Sequence, residues 1–227
     1  DIDIRRDLVA LEEQGCLNRS HGGAISRRRF QREPYFDQKG RRNRVEKVSI
    51  ARAAAALVEA GETILVNSGS TTLELLRALP EVELRVVTSN AGALSVLASP
   101  AIECIVVGGV YRPRSNSFVG GLAVQTLQQV FGGKSFIGVD GLSLEAGLTT
   151  PHHQEAEIAR EMIRRTRGEV IVLADSSKIG GVAPFVTGPL EDVDIVVTDS
   201  GIGEEYESAL EERGIRVIVA PVEADAA

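Results

Sequence analysis

Small hydroxyl and amide side chains, glycines and single charged residues follow the apolar runs of the second part of the chain. Hydroxyl, amide and backbone N–H groups form hydrogen bonds with sugar hydroxyls and phosphate oxygens. No nucleophile–base pairing can be recognised among them without geometry, so we assign no catalytic residue. The candidate ligand-binding residues are Asn67, Ser68, Gly69, Ser70, Thr71, Thr72, Ser89, Asn90, Gly108, Gly109, Arg112, Asp140, Gly141, Glu155 and Lys178.

The most informative of these stretches is NSGSTT, residues 67–72, which precedes the helical pattern LELLRAL. Gly69 permits a tight turn, and the N–H groups of the next three residues would begin a helix without intrahelical partners. Together with the helix dipole they form a site suited to an anion such as phosphate. The alternative is that a Ser or Thr side chain simply caps the helix. This stretch is not a nucleotide P-loop, because the P-loop spacing to a Gly-Lys-Ser/Thr is absent.

Three charged candidates have a structural explanation beside the functional one. Lys178 follows the run EVIVLAD and Arg112 lies in GGVYRPRS, and either side chain could reach a phosphate or be solvated. Thr149-Thr150-Pro151 is typical of a helix start, with Pro in the first turn. Glu155 would lie in that turn, where it could face a ligand or balance the helix dipole.

The sequence predicts neither a metal site nor a cofactor. His152 and His153 are adjacent, so they would not share one face of a helix, and no Cys is near them. Cys16 and Cys104 are far apart in apolar surroundings, which is typical of reduced thiols in a cytoplasmic protein. No apolar run approaches the roughly 18 residues of a membrane span.

From residue 48 onward, apolar strands alternate with helical patterns. Strands with this much Val, Ile and Leu predict a mainly parallel α/β sheet with helices on both faces. The carboxyl ends of parallel strands meet at one edge, where open sheets bind ligands. The predicted strands are ETILVN, LRVVT, IECIVV, SFIGVD, EVIVLAD, DIVVTD and RVIVA, and the predicted helices are SIARAAAALVEA, TTLELLRAL, NAGALSVLA, LAVQTLQQV, EAEIAREMIRRT and EEYESALEER.

The first residues have the layout of a recognition helix followed by a β-hairpin wing. Residues 4–13 carry an apolar stripe at helical spacing, with Arg5 and Arg6 outside it. Two short extended runs then flank the turn HGG. In such a unit the helix enters the major groove and the hairpin touches phosphates, so Arg5, Arg6, Arg19 and His21 are the predicted DNA-binding residues.

Charge is distributed unevenly along this chain of 227 residues with net charge −7. Residues 1–47 hold 12 Lys and Arg against 8 Asp and Glu, whereas the rest hold 13 against 24. A basic segment on an acidic body suggests that only the first part meets a polyanion, although a solvated basic linker would show the same charge. We divide the chain into a DNA-binding remnant (1–25), a basic linker without periodicity that could order against either neighbour (26–47), and a ligand-binding domain (48–227).

Taken in order, these blocks resemble the DeoR family of bacterial transcription regulators. IRRDLVALEEQG and LNRSHGGA resemble the end of its winged helix-turn-helix, and EKVSIARAAAALVEAGETILVNSGSTTLELLRAL resembles the opening of its effector domain. VVTSN, VVGGVYRPRSNSFVGGLA, SFIGVDGLSLEAGLTT, EAEIAREMI and LADSSKIG follow in the family's order. The resemblance covers nearly the whole chain. It implies a fold like ribose-5-phosphate isomerase and the CoA transferases, a phosphorylated sugar effector at the strand ends, and repression of operator DNA.

Three features depart from that family's pattern. The family often has Asp where this chain has Asn67, and commonly has Lys where this chain has Ala159, with Arg160 pointing about 100° away on a helix. The chain opens on Asp and lacks the first two helices of the family's DNA-binding unit. We therefore expect a changed sugar preference and a trimmed DNA-binding unit.

The sequence favours a transcriptional repressor of carbohydrate genes, acting as a homodimer or homotetramer on paired half-sites. The first alternative is a sugar-phosphate isomerase. In the isomerase pattern an acidic pair follows Asp-Gly-Ala, whereas here Asp140-Gly141 is followed by Leu142, Ser143 and Leu144, so the expected general base is incomplete. The second alternative is a fragment that works only as a sensor or in oligomerisation.

Overall fold

The computed structural model describes residues 17–20, 23–26 and 33–221, and the chain divides into two units, Asp1–Glu33 and Pro34–Ala227. In the first unit, strand β1 (Leu17–Ser20) pairs antiparallel with strand β2 (Gly23–Ser26). The hairpin predicted around the Gly-Gly turn is therefore confirmed. The helix predicted over residues 4–13 lies outside the described residues.

The second unit is built on a seven-stranded sheet in which all neighbouring strands are parallel. The strands of the whole second unit, in chain order, are β3 (Thr63–Val66), β4 (Leu84–Thr88), β5 (Ile102–Val106), β6 (Val110–Arg112), β7 (Ser117–Val119), β8 (Lys134–Gly138), β9 (Gly141–Ser143), β10 (Gly147–Thr150), β11 (Val170–Leu173), β12 (Phe185–Gly188), β13 (Ile195–Asp199) and β14 (Arg216–Ala220). The large sheet has the order β14-β13-β11-β8-β3-β4-β5.

Helices cover both faces of this sheet, as predicted. They are α1 (Phe36–Arg41), α2 (Arg44–Ala55), α3 (Ser70–Ala78), α4 (Gly121–Leu127), α5 (His153–Arg165) and α6 (Glu204–Glu211). Successive strand residues alternate between two cores: Ile64 and Val66 pack with α2 and α3, whereas Leu65 packs with α4 and α5. Burial on both faces explains why the strands are continuous apolar runs.

Two small antiparallel sheets were not predicted. β6 and β7 form a hairpin, and β12, β10 and β9 form a three-stranded sheet. The prediction of a helix start at Thr149-Thr150-Pro151 was wrong, because both threonines end strand β10 and helix α5 begins at His153. Short strands of three or four residues with mixed polarity carry too little period to be recognised from sequence.

The helix predicted from NAGALSVLA is reduced to a single 3₁₀ turn, Ala93–Ser95. The side chain of Asn90 accepts a hydrogen bond from the N–H of Gly92 at 3.0 Å, which forms a local turn instead of a first helical turn. The chain therefore returns to the sheet through a compact loop. No helix among the described residues is long and apolar enough to span a bilayer.

Residues 34–47, which make up most of the segment interpreted as a linker, are part of the second unit. Helix α1 occupies Phe36–Arg41, and helix α2 begins at Arg44 rather than at residue 48. Asn43 separates the two helices in the left-handed conformation, with φ of 50°. Charged residues hide α1 and the first turn of α2 from a hydrophobicity pattern, because Lys39, Asn43 and Lys47 make polar contacts with the rest of the unit. The later turns of α2, which the sequence predicts, pack on the core through Ile50 and Ala54.

The buried centre of β3 offers a test of the fold. Leu65 has no exposed surface, whereas Leu94 is 71% exposed. We expect Leu65→Ala to lower the free energy of unfolding by about 2–5 kcal/mol, because it leaves a cavity between the sheet and helices α4 and α5. The matched change Leu94→Ala should alter it by less than about 0.5 kcal/mol. Urea titration measures both, and equal effects would contradict the described core.

Candidate functional site

The ends of neighbouring strands gather the candidate residues along one edge of the large sheet. In sheet order β11-β8-β3-β4-β5, the residues within two positions of the strand ends include Asp175, Asp140, Asn67, Asn90 and Gly108. We call this edge the rim. The parallel pairing brings together positions that lie up to about a hundred residues apart in the chain, as the sequence predicted.

Asn67 joins the ends of two neighbouring strands. Its side-chain amide donates to the carbonyl of Gly138 at 2.9 Å, and its carbonyl oxygen accepts the N–H of Gly138 at 2.8 Å. Both functions of the amide are therefore used to hold β3 against β8. A carboxylate could accept the N–H but could not donate to the carbonyl, so the amide at this position has a structural reason.

Helix α3 begins at the rim without a side-chain cap. Its N-cap residue is Gly69, and no side chain makes a capping hydrogen bond there. The first intrahelical bond runs from the N–H of Leu73 to the carbonyl of Gly69, at 3.0 Å. Within the described part of the chain, the N–H groups of Ser70, Thr71 and Thr72 have no backbone partner. The capping alternative is therefore wrong, and this helix end keeps the donors of an anion site.

The end of β4 supports this turn from the side. The amide of Asn90 donates to the carbonyl of Gly69 at 3.1 Å, and the hydroxyl of Thr72 donates to the same oxygen at 3.1 Å. The neighbouring Ser89 is only 1% exposed, and its hydroxyl has no hydrogen-bond partner among the described residues. A buried hydroxyl without a partner is costly in a finished core and is expected where a ligand or water completes the site.

Arg112 and Glu155 are brought together by the β6–β7 hairpin and the first turn of α5. They form an ion pair with Nη1 of Arg112 3.0 Å from Oε1 of Glu155, and Arg112 also donates to Ser115 at 2.8 Å. Ser117 donates to the same carboxylate at 3.2 Å and forms an isolated bridge with Asn90. Glu155 therefore holds Arg112, and the pair forms one end of the rim rather than two independent ligand contacts.

The other end of the rim carries lysines that sequence reasoning did not select. Lys39 of α1 donates to Asp140 at 2.7 Å, and Thr150 donates to the other oxygen of that carboxylate at 3.2 Å. Asn43 donates to Asp175 at 2.8 Å. The buried ammonium of Lys47 lies 3.8 Å from Asp175 and donates to the carbonyls of Lys39, at 2.8 Å, and Arg42.

Charges of both signs lie close together at this end. Burial lowers the pKa of Lys47; Asp175 and Glu46 oppose that shift, and the charges of Lys178 and Lys39 reinforce it. Three lysines therefore lie within electrostatic reach of one another and of these carboxylates. Such a mixture offers charge-assisted hydrogen bonds both to an anionic group and to hydroxyls.

The glycines of the candidate set mostly serve the backbone. Gly108 and Gly109 have φ of 68° and 95° and form the turn between β5 and β6. A Cβ on Gly109 would lie 2.7 Å from the carbonyl of Val119, and one on Gly141 would lie 2.5 Å from the carbonyl of Gly181. These positions need glycine for conformation or close approach, which explains them without a ligand.

The positions that depart from the family pattern also have a place in the structure. Both lie on α5: Ala159 is 2% exposed in the core, and Arg160 donates to the carbonyl of Val186 on β12 at 2.5 Å. Neither supplies a cation to the rim. His152 and His153 stack with ring centroids 4.8 Å apart, because His152 is the extended N-cap of α5 rather than a helical residue.

The predicted DNA-binding residues are placed only in part. Arg19 lies on strand β1, whereas Arg5, Arg6 and His21 lie outside the described residues. Half-buried Cys104 is a free thiol, and burial raises its pKa.

Two surface cavities, of about 330 and 400 Å³, lie away from the rim. The first is bordered by His153, Arg160 and Phe185. The second lies at the opposite edge of the sheet and is lined by Glu62, Glu83, Arg85 and Glu103 among others. An excess of carboxylates disfavours an anion there, so the chemistry of the rim rather than cavity volume marks the candidate site.

Comparison with protein families finds two matching profiles. Residues 42–200 match the profile described as DeoR C terminal sensor domain, and residues 3–30 match the DeoR-like helix-turn-helix domain. The chain is 34% identical to the HTH-type transcriptional regulator YulB of Bacillus subtilis, itself uncharacterized, over 96% of this chain and 85% of YulB. It is 30% identical to the HTH-type transcriptional repressor GlcR of Bacillus subtilis, over 95% of this chain and 83% of GlcR.

Among solved structures, the chain is similar to ribose 5-phosphate isomerase A of Methanocaldococcus jannaschii, with 18% identity and a TM-score of 0.43. The match covers 59% of this chain and 53% of the isomerase, which is about half of that protein's length. A similarity of this size says nothing about activity.

The amide of Asn67 can be tested directly. We expect Asn67→Asp to lower the free energy of unfolding at pH 7 by about 1–3 kcal/mol, because a carboxylate would face the carbonyl of Gly138. That environment would raise the pKa of the introduced carboxyl. The loss of unfolding free energy should therefore become smaller as the pH falls through that pKa. Denaturant titrations at several pH values measure this.

The matched control is Asn116→Asp. Asn116 accepts the hydroxyl of Tyr111 at 3.1 Å through its side-chain oxygen, a role that a carboxylate can keep. It should leave stability nearly unchanged, and an equal loss in the two variants would rule out the described bridge.

Proposed function

Because the chain belongs to the DeoR family of transcriptional regulators, we propose that it is a DNA-binding repressor of carbohydrate genes, controlled by a phosphorylated sugar at the rim. The relatives are named as regulators, so the chain is a regulator rather than an enzyme. The local chemistry agrees. Asp140 is paired with Lys39, and Leu142 follows Gly141, so the acidic pair of the isomerase pattern is incomplete.

The uncapped start of α3 is the observation that carries the proposal. Its free N–H groups would hold the phosphate, as helix ends commonly do. The unpartnered hydroxyl of Ser89 supports a ligand at the same place, since both belong to neighbouring strand ends. Lys178 would add positive charge from the other side, and the carboxylate of Asp140 would accept sugar hydroxyls.

The parts of the chain have separate roles in this proposal. Residues 1–25 would contact operator DNA, with Arg5, Arg6, Arg19 and His21 mainly on phosphates. Residues 48–227 would bind the effector, and residues 26–47 would connect the two. We also propose a homodimer or homotetramer, because operators for this motif are usually paired half-sites, and a cytoplasmic location. Sedimentation equilibrium measures the assembly.

The anion site can be tested by placing a negative charge in it. Phosphorylated sugars that bind the folded protein raise its melting temperature, whereas the matching unphosphorylated sugars should not. We expect Ser70→Asp to abolish this shift, because its carboxylate would occupy the start of α3. The variant itself should melt no lower than the parent, since the charge favours the helix dipole.

The matched control is Ser208→Asp, which adds the same charge on the exposed helix α6. It should keep the ligand-induced shift. If no phosphorylated sugar in a broad panel raises the melting temperature, the proposed effector site is wrong. If Ser70→Asp responds like the parent, the ligand binds elsewhere.

DNA binding is tested with the full-length protein and the DNA upstream of its own gene. We expect binding that weakens steeply with salt, because phosphate contacts release counterions. Replacing Arg19 with Gln should weaken it and reduce the slope of affinity against salt by about one unit. A phosphorylated sugar that shifts the melting temperature should also change the affinity. Binding that ignores salt would contradict this role for the first unit.

A further inference from the structure

The segment that follows the DNA-binding unit lies along the rim. We call residues 34–43 the strap. Its Phe36 N–H donates to the carbonyl of Arg114 at 2.8 Å, beyond β6. Its Lys39 reaches Asp140 after β8, and its Asn43 reaches Asp175 after β11. Three anchors therefore attach one short segment to three places along the edge where the ligand is proposed to bind.

The strap is held mainly by polar contacts, and Phe36 packs, partly buried, against the core beside α2 and α3. Helix α1 has only six residues and no fully buried side chain. A helix of this length has no stability of its own in water. The ion pair of Lys39 with Asp140 stays partly in contact with solvent, because their side chains are 16% and 23% exposed. Such contacts can be rearranged by a ligand that offers equivalent charges and hydroxyls.

Lys47, on helix α2, connects the strap to the rest of the unit. Its ammonium donates to the carbonyls of Lys39 and Arg42 at the end of α1 and lies near buried Asp175. It therefore stabilises the end of α1, and its hydrogen bonds to these two carbonyl oxygens make it a poor partner for a ligand. Lys39, whose ammonium has one described partner at the surface, is the cation of the strap that an incoming anion can recruit.

We propose that Lys39 is an effector-binding residue and that the strap forms one wall of the effector site, so that the bound ligand holds the strap against the rim. This inference rests on the proposed effector site. The ammonium of Lys39 is shared between Asp140 and the ligand's phosphate, while sugar hydroxyls donate to Asp140. The ligand binds the docked strap better than an undocked one, because only the docked strap supplies Lys39, and it shifts the population accordingly.

The position of the strap in the chain gives this contact a regulatory consequence. The second unit begins at Pro34, so the strap is its first segment after the DNA-binding unit. A ligand that holds residues 36–43 against the rim therefore also fixes the end of the chain that connects the DNA-binding unit to the second unit. In this proposal the rim acts on DNA binding through the chain that joins the two units.

Hydrogen exchange on the full-length protein tests the proposal. The probes are inorganic phosphate, ribose 5-phosphate, glucose 6-phosphate and fructose 6-phosphate, each compared with no addition. With the probe that raises the melting temperature most, we expect amide exchange in residues 36–43 to slow several-fold. Exchange in the exposed helix α6 should not change. Slower exchange restricted to the start of α3 would contradict a role for the strap.

Variants separate binding from mere support of the strap. We expect Lys39→Gln to weaken the affinity for that probe about tenfold or more and to abolish the slowed exchange. Lys39→Arg keeps the charge and should restore most of both. The control Arg85→Gln breaks a comparable ion pair, 2.6 Å from Glu103, at an exposed site away from the rim, and should behave like the parent.

The outcomes distinguish this inference from the function on which it rests. If no probe changes the melting temperature, the effector site itself is wrong and the inference falls with it. If a probe binds but Lys39→Gln keeps the parent's affinity and exchange pattern, only the inference is wrong. If Lys39→Arg binds as weakly as Lys39→Gln, Lys39 supports the strap without contacting the ligand, which also overturns the proposal.

Discussion

The side-by-side pairing of β11, β8, β3 and β4 determines the chemistry of this protein. Each strand pairs in parallel with its neighbour, so the residues that follow the strands are brought to one edge. The double hydrogen bond between Asn67 and Gly138 then holds the ends of the two central strands together. Every candidate contact, from Asp175 to Asn90, depends on that alignment, because no two of these strand ends are close in the sequence.

The rim combines two kinds of polar site with different physical origins. At β3 and β4 the positive potential comes from backbone N–H groups at the uncapped start of α3, which need no charged side chain. At β8 and β11 lysines and carboxylates lie side by side, with Lys39 paired to Asp140 and Lys47 beside Asp175. A phosphorylated sugar has a matching pattern, with a dianionic group at one end and hydroxyls along its length. This match makes the rim a more convincing ligand site than either of the two surface cavities.

The proposed role of the strap connects that chemistry with regulation. The main contacts of the strap include a partly exposed ion pair, and such a pair contributes little free energy by itself. Whether the strap stays docked therefore depends on the other groups bound at the rim. A segment held in this way can respond to a ligand, whereas the buried strands cannot. The basic residues of 26–47 suggested contact with DNA or solvent. Two of them, Lys39 and Lys47, instead lie beside carboxylates of the protein itself, Asp140 and Asp175.

The amino-acid sequence by itself determined the fold class, the strands of the large sheet, the hairpin and the edge that collects the polar residues. These features follow from local patterns: apolar runs buried on both faces, helical spacing, and glycines at turns. Only the tertiary structure decided which candidate residues have partners within the protein. Asn67 bonds to the backbone of Gly138, and Glu155 bonds to Arg112 and Ser117, which the sequence does not show. Lys39 and Asn43 look like linker residues, yet they reach carboxylates 101 and 132 residues away. Hydrogen-bond partners so distant in the chain leave no local pattern, so their roles depend on the packed fold.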